Sequence, residues 1–416
     1  MNNTKIKIPP NWQQVKLGDF CSYIVDNRGK TPPVVSEGIP LIEVNAMGSK
    51  NVDYTKINKF VSEETFDGWF RKYLKDGDVL FSTVGRTAMT SLYRDSVKAG
   101  IAQNIVGLRF DGHNYKFMYY MLSQERNNYK FKSIEMVAVQ PSVKVSQMVN
   151  LKFNIPPLPE QHRIVTILET WDNAIDLLKK KITLKKQVKK GLMQRLLSGE
   201  VRLPGFSGEW KTLKLKTLGD TYAGLSGKTK NDFGIGKPYI SYMNIYSNPA
   251  LSMYDLPLVD VREDERQFTA KYGDLFFTTS SETSHEVGVS SVLLDKDVDT
   301  LYLNSFCFAF RLNDFETILP EFAKHYFRGQ IFRKSMTRIA QGASRYNLSK
   351  RYFMDTEVVI PNIDEQKEIS FILQTSENEI SFLEQKLQAL QQQKKFLLNN
   401  LVTGNIRTPE DMKVTA

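Results

Sequence analysis

The tripeptide Gly-Lys-Thr occurs twice, as Gly29-Lys30-Thr31 and Gly227-Lys228-Thr229, and it resembles the end of a phosphate-binding loop. That loop also needs a glycine five residues before the second glycine, and Ile24 and Tyr222 stand there instead, so the motif argues against nucleotide hydrolysis, although a tripeptide kept in both halves is expected to have a shared role. Four histidines, His113, His162, His285 and His325, are scattered with none at metal-ligand spacing. The chain has no Gly-x-Gly-x-x-Gly, no paired Cys-x-x-Cys and no Asn-Pro-Pro-aromatic or Asp-Pro-Pro-aromatic tetrad for amino-methyl transfer. Glu410-Asp411-Met412-Lys413 has the residue types of a nuclease cluster but lies in a polar tail without a strand around it. No catalytic, cofactor-binding or metal-binding residue is therefore expected; the reading is of a recogniser.

Recognition of base edges needs planar polar side chains on adaptable loops: Arg for guanine, Asn or Gln for adenine. The candidates are Arg28 and Lys30 in the first Gly-rich loop, Arg86 after it, and Gln140, Ser142 and Lys144 further on. Their counterparts in the second half are Lys228 and Lys230, Ser281, and Gln341, Ser344, Arg345 and Asn347. For each, the competing interpretation is an ordinary surface loop; their parallel placement in both halves is what favours binding.

The elements that position these loops are duplicated. Residues 155–202 align with 360–407 without a gap at an offset of 205, with 19 of 48 positions identical. A long repeat separated by a domain's length means two copies of one unit. Shorter echoes extend it: Trp12 with Trp210, and Gly77-Asp78-Val79-Leu80-Phe81 with Gly273-Asp274-Leu275-Phe276-Phe277. Within the repeat, apolar residues recur in steps of three and four, the period of a coiled-coil seam. Glu160, Gln161, Ile164, Leu168, Ile175 and Leu178, and Glu365, Gln366, Ile369, Leu373, Ile380 and Leu383, are the helix-packing or partner-docking positions. Each helix is expected to run about 39 residues, or roughly 58 Å, and the two to pack antiparallel. The chain end after Arg407 should lie near the segment before Trp12.

Between the helices, β-branched and aromatic runs at Asp78–Thr83, Ile105–Phe110, Leu275–Thr279 and Phe306–Leu312 predict strands, and Tyr115–Asn127 and Pro320–Arg338 predict helices. The fold class is α+β: two mixed α/β domains joined by two long antiparallel coiled-coil helices, a pseudo-twofold internal repeat. The boundaries are a first domain at 1–158, a central helix at 159–203, a second domain at 204–363, a C-terminal helix at 364–407 and a polar tail at 408–416.

Net charge is +10 over 416 residues. The excess lies in the first half, with 21 basic against 14 acidic residues in 1–159 and 10 against 5 in 160–202. Such a surface suits nucleic acid, whose neutralised phosphates release counterions; a lysine-rich solvated helix is the plainer interpretation of Lys179–Lys181 and Lys185–Lys190. Only Cys21 and Cys307 are present, no apolar run reaches membrane-spanning length, and the first residues lack a secretion signal's apolar stretch. A cytoplasmic setting follows.

The Trp12…Leu17-Gly18-Asp19 opening, the Gly77-Asp78 strand, and the entry Ile155-Pro156-Pro157-Leu158-Pro159-Glu160-Gln161 with its copy resemble the specificity subunit of type I restriction-modification enzymes. Leu196-Leu197-Ser198-Gly199 and Leu401-Val402-Thr403-Gly404 fit too, so the resemblance covers essentially the whole chain. One departure is Asn362-Ile363-Asp364 where the first copy has Pro157-Leu158-Pro159. The resemblance implies two target-recognition domains, each reading half of a split double-stranded DNA target, on helices that act as spacer and dock two methylation subunits. Motor-nuclease restriction subunits would join for cleavage. It implies no chemistry in this chain: S-adenosylmethionine belongs to the methylation partner, ATP with Mg2+ to the motor partner, and the setting is a bacterial or archaeal nucleoid. A four-residue insertion near Lys186 would then lengthen the unread DNA spacer. The competing class is a non-enzymatic coiled-coil adaptor with paired protein-binding domains, which leaves the basic excess unexplained.

Overall fold

A computed structural model describes residues 8–29, 31–136, 139–342 and 344–414. The chain divides into two compact units: residues 1–179 with 386–416, and residues 180–385. The division falls inside both long helices, Leu158–Leu197 and Ile363–Leu401, so each unit owns one mixed α/β domain and a segment of each helix.

In the first unit, a four-stranded antiparallel sheet has the order Tyr23–Val25, Ile105–Arg109, Val79–Ser82, Thr90–Leu92. Its central strand, Val-Leu-Phe-Ser, is buried at every position, as a strand covered on both faces must be. Gly77 leads into it at φ +83, and a Cβ there would lie 2.9 Å from the Tyr115 ring; glycine is required on both counts. The strand's first neighbour, Asp78, is fully buried and holds Arg109 through Nε (2.8 Å) and Nη2 (2.7 Å). A smaller three-stranded sheet sets Ile39–Ile42 between Phe60–Val61 and Gly100–Ile101, and Gln13–Lys16 pairs antiparallel with Lys152–Ile155.

The second unit repeats this plan. Its four-stranded sheet runs Gly219–Ala223, Cys307–Leu312, Leu275–Thr278, Ser290–Val292, and Lys211–Lys214 pairs with Glu357–Ile360. Buried Asp274 takes the place of Asp78 and holds Arg311 in the same bidentate way, at 2.8 and 2.6 Å. The four predicted strands are thus observed with ends shifted by no more than one residue.

The two helices expected after the sheets are each broken. Tyr115–Asn127 is instead Tyr115–Ser123 followed by Glu125–Ser133, because Gln124 turns extended (ψ 136°) and its side chain caps the second helix by accepting from Asn127 N. Pro320–Arg338 is Pro320–Tyr326 and Gln330–Ile339, divided at Gly329.

In each unit the helix segments run antiparallel. In the first, Ile164 and Leu168 share a core with Leu401 and Val402, with Leu397 and Leu398 packed on it. In the second, Ile369 and Leu373 share a core with Leu196 and Leu197. Lys185–Glu379 (2.8 Å) and Lys186–Glu384 (2.7 Å) flank that second pairing. Both helices end in a left-handed glycine, Gly199 at φ +71 and Gly404 at φ +74, the usual C-terminal stop. Within the first unit, Arg407 Nη1 donates to Pro10 O at 3.1 Å, so the chain end does lie beside the segment before Trp12.

Candidate nucleic-acid interface and helix anchors

The Pro-x-x-Glu-Gln entry into each long helix is a buried junction. Glu160 is 3 % exposed and accepts from Arg407 Nε (2.6 Å), Arg407 Nη2 (2.9 Å) and the Trp12 indole (3.0 Å). Glu365, 1 % exposed, accepts from Arg202 Nε and Nη2 (2.7 Å each) and the Trp210 indole (3.2 Å). A planar guanidinium matched to a carboxylate in this fork is the strongest ion-pair geometry available, and burial demands it. Gln161 Oε1 accepts from Asn114 N (2.9 Å) while its Nε2 donates to Pro156 O (2.9 Å). Gln366 does the same with Leu319 N (3.0 Å) and Pro361 O (2.9 Å). The dipeptide therefore ties three things together: a helix start, the end of the opposite helix and the first strand of the domain. Arg202, Arg407, Trp12 and Trp210 were not among the expected anchors. Their signal was present, since each is identical in the two halves.

Ile164, Leu168, Ile175 and Leu178 of the first unit and Ile369, Leu373, Ile380 and Leu383 of the second are all buried. Ile164, Leu168, Ile369 and Leu373 join the cores of their units, and a buried side chain offers no surface to a partner. The outward helix faces carry large exposed apolar residues instead: Leu177 and Phe396 in the first unit, and Leu184, Val188, Phe371 and Phe382 in the second.

The expected reading loops fall into two places in each unit. In the first, Gly85 N donates to Pro141 O and Val143 N to Thr83 O, both at 2.8 Å. This stitches the Arg86 loop to the segment carrying Gln140, Ser142 and Lys144. Arg86, Gln140 and Lys144 are exposed and Ser142 is half-buried. The loop's base is rigid: Thr87 Oγ1 donates to Glu135 (2.5 Å), which holds that carboxyl below its usual range. Ala88 sits at φ +60, a strained position for a residue with a Cβ; Gly288 takes the matching place in the second unit at φ +68.

In the second unit, Ser280–Ser281 pairs with Tyr346–Leu348, which pairs in turn with Ala340–Gln341. Leu348 N donates to Thr279 O at 2.8 Å, the counterpart of Val143 to Thr83. Gln341, Ser344, Arg345 and Asn347 are exposed on this small sheet and its turn, with Arg345 Nε donating to Ser280 Oγ (2.7 Å). Ser281 differs from them. It is 8 % exposed and its hydroxyl donates to Glu286 (2.5 Å), so it supports the patch from below.

The Gly-Lys-Thr loops lie elsewhere. Arg28 is clamped by Asp26 through Nε at 2.8 Å, which lowers the Asp26 pKa. It borders a depression with Asn27, Trp69 and Arg71. Lys30 lies outside the described residues. The Lys228 side chain is 6 % exposed and bound to Glu265 at 2.6 Å; that contact holds the Glu265 carboxyl down at about 2. Its ammonium is spent inside the fold, whereas Lys230 is exposed. The threonines of the two tripeptides have different partners: Thr31 Oγ1 accepts from Gln103 Nε2 (2.7 Å), and Thr229 Oγ1 donates to Asp232 (2.8 Å). Among the described residues, no group of three or more His, Cys, Asp or Glu side chains could hold a metal ion, and no helix is long and apolar enough to cross a membrane.

The model of the type I restriction modification DNA specificity domain matches residues 9–186 and again 207–392. Two proteins of Methanocaldococcus jannaschii are similar over nearly their whole length. The type I restriction enzyme MjaVIII specificity subunit is 22% identical, over 97% of this chain and 94% of that protein. The putative MjaX specificity subunit is 24% identical, over 96% and 95%. Among solved structures, a chain from work on complex assembly and conformational transition of the type I R-M system superposes with a TM-score of 0.63 at 17% identity, over 96% of this chain and all of that one. The HsdS subunit of Thermoanaerobacter tengcongensis superposes with a TM-score of 0.54 at 17% identity, over 98% and 100%.

Proposed function

Because the chain belongs to the type I restriction-modification DNA specificity family, we propose that it reads a bipartite double-stranded DNA target, one recognition domain per half-site, and does no chemistry itself. The observation that carries this is the pairing of like and unlike. The carboxylates of Glu160 and Glu365 accept the same three bonds, two from an arginine's Nε and Nη2 and one from an indole, while the loops in the two units present Arg86, Gln140 and Lys144 in one and Gln341, Arg345 and Asn347 in the other. A constant frame with variable polar loops suits two readers of different sequences, and joining two short half-sites multiplies discrimination against a genome.

Methylation subunits dock on the helices under this reading. Since the seam residues are buried, docking falls to the outward faces, with Leu177 and Phe396 in one unit and Leu184, Val188, Phe371 and Phe382 in the other. S-adenosylmethionine enters with the methylation subunits, and ATP with Mg2+ enters with motor-nuclease subunits. The test is gel shift of the purified chain with a methylation partner across a salt series. DNA reading requires a steep loss of affinity with salt. A chain that captures partner proteins but shows no salt-dependent DNA binding is a protein adaptor.

A further inference from the structure

The helix Gln330–Ile339 was absorbed by none of the expected sites, yet it borders the proposed reading patch. It runs directly into Ala340–Gln341, the edge strand beside Tyr346–Leu348. Its Arg333 is tied to the segment after Ser281, with Nη2 donating to His285 O (2.7 Å) and Val287 O (2.8 Å). Burial lowers the Arg333 pKa to about 10, so it stays cationic at neutral pH. Its other terminal nitrogen, Nη1, is buried without a hydrogen-bond partner. A shallow depression of about 390 Å³ opens here, lined by His285, Gln330, Arg333, Lys334, Thr337 and Arg338. Lys334 and Arg338 are exposed and form no ion pair among the described residues. Glu282 and Glu286 flank His285 in sequence, and the Glu286 carboxylate is already engaged by the Ser281 and Tyr246 hydroxyls.

The corresponding helix of the first unit, Glu125–Ser133, shows what ordinary structural lysines do. Lys130 lies over the Phe153 ring and donates to Lys152 O, and Lys132 pairs with Glu135. At the positions of Arg333, Lys334 and Arg338, counted back by 205, stand Asn128, Tyr129 and Ser133.

We propose that Lys334 and Arg338, on a floor made by Arg333 and His285, form a DNA-phosphate site that seats the duplex against the second unit's reading loops. This rests on the DNA-reading function proposed above. Phosphates flank every base pair, and contacts to them set register without carrying sequence information. The site therefore contributes affinity and salt dependence but not specificity.

The test uses the full chain and a random duplex of about 40 bp, long enough to span one specific interface, titrated between about 50 and 200 mM salt. The doubly substituted K334A/R338A chain should give a slope of log affinity against log salt that is shallower by about 1.8, two contacts at about 0.9 each. The charge-keeping K334R/R338K chain should retain the wild-type slope, and genomic methylation by K334A/R338A should keep the wild-type motif. If the wild type binds with a steep slope and K334A/R338A matches it, the phosphate site is wrong while DNA reading stands. The phosphate site is equally overturned if K334A/R338A keeps the DNA slope but loses binding to polyglutamate, which assigns the depression to an acidic protein. A wild type without salt-dependent binding overturns the DNA-reading function itself.

Discussion

At one position in the fold the two units make opposite choices. In the first unit, Asp172 accepts from the Tyr120 hydroxyl and pairs with Lys394 and Lys50. In the second, Glu377 stands in for Asp172, pairing with Lys189 (2.7 Å) and Lys324, and His325 replaces Tyr120. The helix-borne lysines, Lys394 and Lys189, are the same residue of the repeat. What differs lies on both sides: the helix changes Asp172 to Glu377 and Glu169 to Gln374, and the mixed α/β domain changes Tyr120 to His325 and Lys116 to Glu321. Nearby, Lys116 bridges to Glu169 in the first unit (2.9 Å), whereas the second has Glu321 and Gln374 at those positions and an apolar cleft beside exposed Phe371. The lesson is that the repeat keeps a helix-borne lysine and a half-buried carboxylate at each junction, while the domain packed against them meets that carboxylate with different chemistry in each unit.

That comparison can be broken at several depths. The deepest is the shared core. Leu168→Ala and Leu373→Ala remove equivalent, fully buried side chains and should each destabilise by about 2–5 kcal/mol. Urea unfolding followed by local hydrogen exchange should place each loss in its own unit; a loss in only one would mean that the two seams are not equivalent.

A pH difference follows from His325. Burial, only partly offset by Glu377, lowers its pKa to about 4. Because the folded value lies below the unfolded one, near 6.5, the unfolded chain takes up the proton first. The stability present above pH 6.5 is lost as pH falls towards 4, by roughly 3 kcal/mol at most. Tyr120 cannot titrate in this window, since burial and the Asp172 hydrogen bond push its pKa up. Hydrogen exchange at pH 7 and pH 5 should show the second unit loosening around residues 320–326 and no matching change around 115–123.

The anchors come next. Glu160→Ala and Glu365→Ala each delete a carboxylate that accepts three hydrogen bonds, and each should cost about 2–3 kcal/mol. Equal shifts in the unfolding midpoint sharpen the equivalence of the two junctions. The smallest effects belong to the loops. Arg86→Ala and Arg345→Ala should leave stability within about 0.5 kcal/mol and relax base preference by about 1–3 kcal/mol, each in a different half of the methylated motif.

Much of this frame was legible because the helix repeat keeps a constant offset of 205 and its buried anchor positions keep their identity. Glu160, Gln161 and Leu168 were found that way. Arg202 and Arg407 could have been, but their partners lie 163 and 247 residues away and no local pattern names them. Lys228 shows the opposite failure. Its loop has the composition of a binding site, and only the fold brings Glu265 against it. Gln124 shows a third: the helical period runs through it, yet its side chain caps the next helix more favourably than its backbone continues the last. Pattern reports what an element needs; it does not report which competing partner tertiary structure supplies.

That each unit reads its own half of one DNA target is tested most directly by single-molecule methylation mapping of the host genome. The gene would be intact, deleted, or carrying a transplanted second recognition domain at 204–363. The expected result is a bipartite motif that disappears on deletion and changes in one half only on transplantation. A motif unaffected by deletion, or altered in both halves by the transplant, would contradict two independent half-site readers.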